Sequence, residues 1–284
     1  MPRPIKWQCR VAPSLGALED THKNVWHTKE YKDLDRPTVF FGLYGLPDFY
    51  TLWRHKGRKA ILWAGSDIKH FINGYWLSPD GRIRLESESI AEWINKNCES
   101  YVENGVEHEA LMVLGVESHI VPSFLGHTMN YSDSYTYRSD DRPQVYASVS
   151  GDNFRMYGWE QIELVADKCN VDFHLYGNTV EWPTKHHNVF VHGRVSKEQM
   201  NEEIRGMQAG LRPLEFDGFS EILAKSILWG QWPISRIAYP GVTNYTTNDE
   251  LIAALNDLKN KKEPNREALK WFYANVNRYP WSHV

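Results

Sequence analysis

Leu211-Arg-Pro-Leu-Glu-Phe-Asp-Gly-Phe-Ser-Glu-Ile-Leu-Ala-Lys-Ser-Ile-Leu-Trp-Gly-Gln-Trp-Pro-Ile-Ser235 is the stretch whose reading decides the fold. An apolar strand runs into an acidic, glycine-containing loop, Glu215 to Ser220. An apolar helix follows, then Gly230 and a short strand near Pro233–Ser235. A loop that opens a helix presents backbone N–H groups lacking intrahelical partners, at the positive end of the helix dipole. That suits a diphosphate. The carboxylates beside it accept hydrogen bonds from O–H donors such as those of a ribose or hexose. A phosphate cradle next to hydroxyl readers points to a nucleotide-sugar ligand.

Working outward, strand and helix signals alternate on both sides of a polar, tyrosine-rich stretch at 123–143. Before it, strands are expected at Val39–Leu43, Lys59–Ala64, Ile83–Leu85, Ser100–Val102 and Val116–Val121. The helices between them are Pro47–Lys56, Ile68–Asn73, Ser87–Asn97 and Gly105–Leu114. Residues 1–36 read as an irregular arm with one short strand around Ile5–Val11. After the junction come strands Gln144–Val149, Asp172–Tyr176, Val189–His192 and Gln208–Arg212, with helices Tyr157–Cys169 and Ser196–Arg205. Thr247–Leu258 and Glu263–Asn277 close the chain. This alternation predicts an α/β protein of two Rossmann-like domains with mainly parallel sheets facing a central cleft. The domains are expected at 1–142 and 143–284, with the last helix, 264–277, packing back on the first. Ligands of such sheets sit at the carboxyl ends of the strands. No Gly-x-Gly-x-x-Gly and no Walker loop is present, which argues against NAD dehydrogenases and P-loop kinases.

Bulk properties set the outer bounds. The chain has 284 residues, 42% hydrophobic and 24% charged, with a net charge of −4, so no global field draws it to nucleic acid or an anionic membrane. The three cysteines show no metal spacing and read as reduced thiols of a cytoplasmic protein. No apolar run approaches the ~18 residues of a membrane span. With 12 Trp and 15 Tyr, the chain has flat rings suited to sugar faces and bases, or simply to filling cores.

The arrangement resembles GT-B fold glycosyltransferases of the family 4 type. The resemblance rests on Asp217-Gly-Phe-Ser220 continuing to Gly230-Gln-Trp-Pro-Ile234, on a strand ending at Gly193 before a Ser196-capped helix, and on Trp63-Ala-Gly-Ser-Asp67. It implies a hexosyltransferase that needs no metal and no tightly bound cofactor. Its substrate would be a nucleotide-diphosphate-sugar such as a UDP-sugar. Its acceptor would be a glycan, a small molecule or a nucleobase. A catalytically silent nucleotide-sugar-binding module is the alternative from another class. Two positions depart from the family pattern: its first glutamate falls on Asp217 and its second on Lys225.

On this reading the donor contacts come from Ser150, Gly151, Arg155, Gly193, Arg194, Glu215, Gly218, Phe219, Ser220, Glu221 and Lys225. Asn178 either reads a base or holds a turn. Glu221 and Lys225, four apart on one helix, form either a surface ion pair or a phosphate contact. Gly42, Tyr44, Gly45, Ser66 and His127 fall on the acceptor side. Asp67 and Asp217 are the candidate catalytic carboxylates, with Asp67 either a general base or a helix cap, and Asp217 either a hydroxyl reader or a turn residue.

Overall fold

The computed structural model describes residues 6–18, 23, 25–74, 84–128, 131, 137–151, 157–180 and 184–282. The chain divides into two compact units, one of residues 1–126, 216–219 and 275–284, the other of residues 127–215 and 220–274.

The first unit is built on a parallel sheet of β1 (Gln8–Val11), β2 (Lys29–Glu30), β3 (Thr38–Phe41), β4 (Lys59–Leu62), β5 (Cys98–Val102) and β6 (His119–Ile120). The strand order is β2-β1-β3-β4-β5-β6. Among the described residues it is accompanied by α1 (Leu46–Arg54), α2 (Ser66–Ile72), α3 (Arg84–Asn97) and α4 (Gly105–Met112). β3 and β4 read Thr-Val-Phe-Phe and Lys-Ala-Ile-Leu and are almost wholly buried. A parallel strand covered on both faces needs such a continuous apolar run. Alternate side chains split between two cores. Phe40 and Ile61 join Trp63, Phe71, Ile94 and Leu111, while Val39, Phe41 and Leu62 join Trp7, Trp26, Tyr279 and Trp281.

The strand expected around Ile5–Val11 is β1, and it lies inside the sheet between β2 and β3 rather than in an irregular arm. What obscured its interior place is Gln8, a polar side chain at a buried strand position. Its Nε2 donates to the Asp33 carbonyl at 2.8 Å and its Oε1 accepts the amides of Lys32 and Asp33 at 2.9 and 3.0 Å. Of the strand expected at Ile83–Leu85, residues 84 and 85 open α3, and Ile83 lies outside the described residues. Three alternating residues fit the first turn of a helix as well as a strand.

The second unit carries β7 (Gln144–Gly151), β8 (Asp172–Asn178), β9 (Val189–Gly193), β10 (Ala209–Arg212), β11 (Ile234–Ser235) and β12 (Thr243–Asn244). All pairs are parallel, in the order β12-β11-β10-β7-β8-β9. Counted within the unit this is 6-5-4-1-2-3, the doubly wound nucleotide-binding order, whose topological switch point lies between β7 and β10. The helices are α5 (Trp159–Val165), α6 (Lys197–Ile204), α7 (Glu221–Leu228), α8 (Asn248–Asp257) and α9 (Arg266–Asn275). Strand side chains such as Val145, Phe173 and Leu211 pack with Ile162, Leu251 and Leu255 of α5 and α8. A capping box between Thr247 and Glu250 starts α8. Of the helix expected at 264–277, residues 264–274 belong to the second unit, and the residues from 275 on belong to the first.

Candidate functional site

In the second unit the loops after β7 and β10 leave the sheet at its switch point, where doubly wound sheets bind their ligands. Ser150 and Gly151 end β7 at a register shift in its pairing with β8. Arg155 lies outside the described residues. After β9, Gly193 adopts φ +74°, Arg194 is exposed, and Ser196 caps α6 by accepting the Gln199 amide at 3.0 Å. After β10, Ser220 caps α7 by accepting the Ile222 amide at 3.2 Å.

The two helix starts are joined through one carboxylate. Glu221 Oε1 pairs with Lys197 Nζ at 3.0 Å and with Lys225 Nζ at 3.2 Å. Burial pushes the Glu221 carboxyl up, but the two lysines outweigh it and hold the group below its ordinary value. Lys225 is not the outward half of a surface pair. Its side chain is 4% exposed, and burial lowers its ammonium from the usual range against the pull of Glu221. Two ammonium groups against one carboxylate leave a net positive charge beside two helix N-termini, the electrostatics an anion requires. Lys197 was missed in the sequence, although it directly follows the Ser196 cap behind a glycine-ended strand. Glu215 stands elsewhere, paired with Arg236 at 2.7 Å. Asn178 donates to the Val180 carbonyl at 3.0 Å, and its buried Oδ1 has no protein partner.

In the first unit the expected acceptor-side residues Tyr44 and Ser66 do meet, with Tyr44 Oη and Ser66 Oγ 3.0 Å apart. Gly42, at φ +80°, and Gly45 bracket that loop, and a Cβ on Gly42 would strike Leu15. His127 is exposed and belongs to the second unit. Asp67 is fully buried. Its Oδ2 accepts the Leu43 amide at 2.8 Å, and its Oδ1 accepts the amides of Ala64 and Ile68 at 2.9 Å. Burial raises it to about 7 against those three bonds. Both oxygens are thus committed to tying the ends of β3 and β4 together.

Residues 216–219 also belong to the first unit, where Phe216 lies under the Lys69 ammonium at 4.5 Å. The Phe219 amide, expected to face a diphosphate, donates to Glu103 Oε2 at 2.6 Å. The carbonyl of Asp217 accepts from Asn104 Nδ2 at 2.7 Å. A protein carboxylate therefore fills one expected place of the phosphate. At the start of α7 the Ile222 amide is likewise taken, by the Ser220 cap. Glu103 sits with Glu107, whose Oε2 accepts the Glu103 amide at 2.8 Å and whose buried Oε1 has no protein partner. Burial raises Glu103 to about 7 and lifts Glu107 well above its ordinary value. Glu103, Asn104 and Glu107 escaped the sequence reading. The one available signal was a Glu-Asn-Gly run closing a strand.

Among the described residues no group of three or more His, Cys, Asp and Glu side chains is placed to hold a metal ion. Nor is any helix among them long and apolar enough to cross a membrane.

No protein-family model and no curated protein matches the chain. Solved structures do. The lipopolysaccharide outer core galactosyltransferase WaaB, in its apo form, is similar over 96% of this chain and 95% of its own, at 12% identity and a TM-score of 0.57. An α,α-trehalose-phosphate synthase (UDP-forming) from Burkholderia xenovorans, with glucose-6-phosphate, is similar over 86% and 70%, at 9% identity and a TM-score of 0.58. A TarM mutant from S. aureus, in complex with fondaparinux, α-GlcNAc-glycerol and UDP, is similar over 92% of this chain at 15% identity and a TM-score of 0.51. The chain spans about half, 53%, of TarM's length. These neighbours are GT-B glycosyltransferases, and with its two parallel six-stranded sheets the chain has the GT-B fold.

Proposed function

We propose that the chain transfers a sugar from a nucleotide-diphosphate-sugar to a hydroxyl acceptor, and that its second unit holds the nucleotide. The observation that carries this reading is the Lys197–Glu221–Lys225 group at the joined starts of α6 and α7. A departing diphosphate gains negative charge as the glycosidic bond breaks. Fixed ammonium groups and helix-terminal amides stabilise that charge more in the transition state than in the ground state. The UDP in the TarM complex supports a UDP-sugar as donor. Tyr44 and Ser66 are the proposed acceptor-side hydroxyls. The three cysteines, all outside disulfides, suit a cytoplasmic enzyme.

Calorimetric titration with UDP tests the reading. Lys225→Met keeps the buried stem and leaves Glu221 its Lys197 partner, so the variant folds. Loss of one charge-assisted contact should weaken UDP binding by roughly 10- to 100-fold, or about 1.5–3 kcal/mol. Unchanged affinity in Lys225→Met, and in Lys197→Ala, would remove these residues from the donor site. Release of UDP from a UDP-sugar separates an enzyme from a silent binder.

A further inference from the structure

We propose that Glu103 and Asn104, at the end of β5, are positioning residues for the turn Asp217–Phe219 and hold it in the one conformation that the transfer reaction uses. The proposal rests on the donor reading above, because this turn leads directly into the Ser220 cap of α7. Two consecutive side chains grip both sides of the turn, Glu103 at the Phe219 amide and Asn104 at the Asp217 carbonyl. The grip is itself braced. Glu103 Oε1 accepts the Ser123 amide at 3.1 Å and the Ser123 hydroxyl. Asn104 Oδ1 caps α4 through the Glu107 amide at 3.0 Å, and Glu107 in turn accepts the Glu103 amide.

Glycine between the gripped positions leaves room for the Glu103 carboxylate, which a Cβ on Gly218 would overlap. The close approach of the carboxylate and the bare position at 218 go together. A bond from an amide to a buried carboxylate is among the stronger hydrogen bonds a protein makes. It fixes the backbone of Asp217 one residue before the glycine, and so the point from which that candidate carboxylate reaches.

The test has two arms on the full chain. In the first, hydrogen exchange is followed at the Phe219 amide. In the wild type this amide should be protected by at least roughly 100-fold over an open chain, and Glu103→Gln should speed its exchange about tenfold or more, with distant amides unmoved. Lack of protection in the wild type, or equal exchange in the variant, would overturn the clamp whether or not the variant is otherwise perturbed. In the second arm, donor turnover is measured with UDP-sugars. Glu103→Gln and Asn104→Ala should each lower kcat about tenfold or more while the Kd for UDP stays within about threefold, since diphosphate contacts come from Lys197 and Lys225. Equal loss of UDP affinity and kcat would assign Glu103 a merely structural role and overturn the positioning claim. No UDP binding by the wild type would sink the donor reading by itself. A protected Phe219 amide in that case would show a clamp serving the turn alone, which also overturns the positioning role.

Discussion

Gly218→Ala isolates the contact on which the donor turn depends. Gly218 is not in the left-handed region, so an alanine meets no backbone strain there. Its methyl would instead fall on Glu103 Oε2, with Cδ of the same carboxyl 3.1 Å away. All the atoms met there belong to the Glu103 side chain, so the carboxylate has to yield. When it does, the Phe219 amide loses a charge-assisted bond of 2.6 Å, a loss of about 2 kcal/mol. Gly218→Ala should therefore destabilise the first unit by about 2 kcal/mol. Glu103→Ala alone should cost a similar amount for the same lost bond. In the double variant the methyl occupies space the carboxylate has vacated, so the two costs should not add, and the coupling should be about 2 kcal/mol. Urea unfolding followed by tryptophan fluorescence reads it, because Trp7, Trp26, Trp63 and Trp281 are all buried in the first unit. Additivity within about 0.5 kcal/mol would show that the methyl and the carboxylate do not compete, and would refute the reasoning.

Two further expectations concern stability. Burial raises Glu103 from an ordinary 4.5 to about 7, among Glu107, Asp217, Asp67 and Tyr279. The folded chain thus prefers the proton: this stabilisation is full below pH 4.5 and is lost as the pH rises through about 7. The stability difference between wild type and Glu103→Gln should accordingly shift toward the variant by about 2–3 kcal/mol between pH 5 and pH 8, and a flat difference would contradict the raised value. Trp281 is fully buried and stacks on Tyr279 with centroids 4.6 Å apart. Trp281→Ala should cost about 3–5 kcal/mol in urea unfolding, and a cost under about 1 kcal/mol would mean that the tail does not hold the core.

Periodicity and glycine-ended strands were enough to read most of the two sheets, because β3 and β4 are near-continuous apolar runs and β8 alternates buried and half-buried residues up to its glycine. What escaped was held by polar side chains at buried places. Gln8 hid that the N-terminal strand is interior to its sheet, and a two-residue strand such as β12 carries too few residues to show a period. The candidate site divides along the same line. Ser220, Glu221 and Lys225 could be read because one helix start displays them together. The partners that give them meaning come from distant parts of the chain, Lys197 from α6 and Glu103 from β5, and local pattern does not encode pairings across 24 or 116 residues. Asp67 shows the converse. A carboxylate before a helix looks the same in sequence whether it faces a substrate or ties down three amides, and burial alone separates the two.

The seam by which residues 275–282 join the first unit bears on the order in which its core can form. Trp7 and Trp26 pack with Tyr279 and Trp281, rings that lie more than 250 residues along the chain from Trp26. Contacts so distant in sequence close late, because the loop entropy is lost before the contact rewards it. Until then the first unit keeps an unsealed indole-lined flank, the kind of surface on which chaperones and aggregation compete.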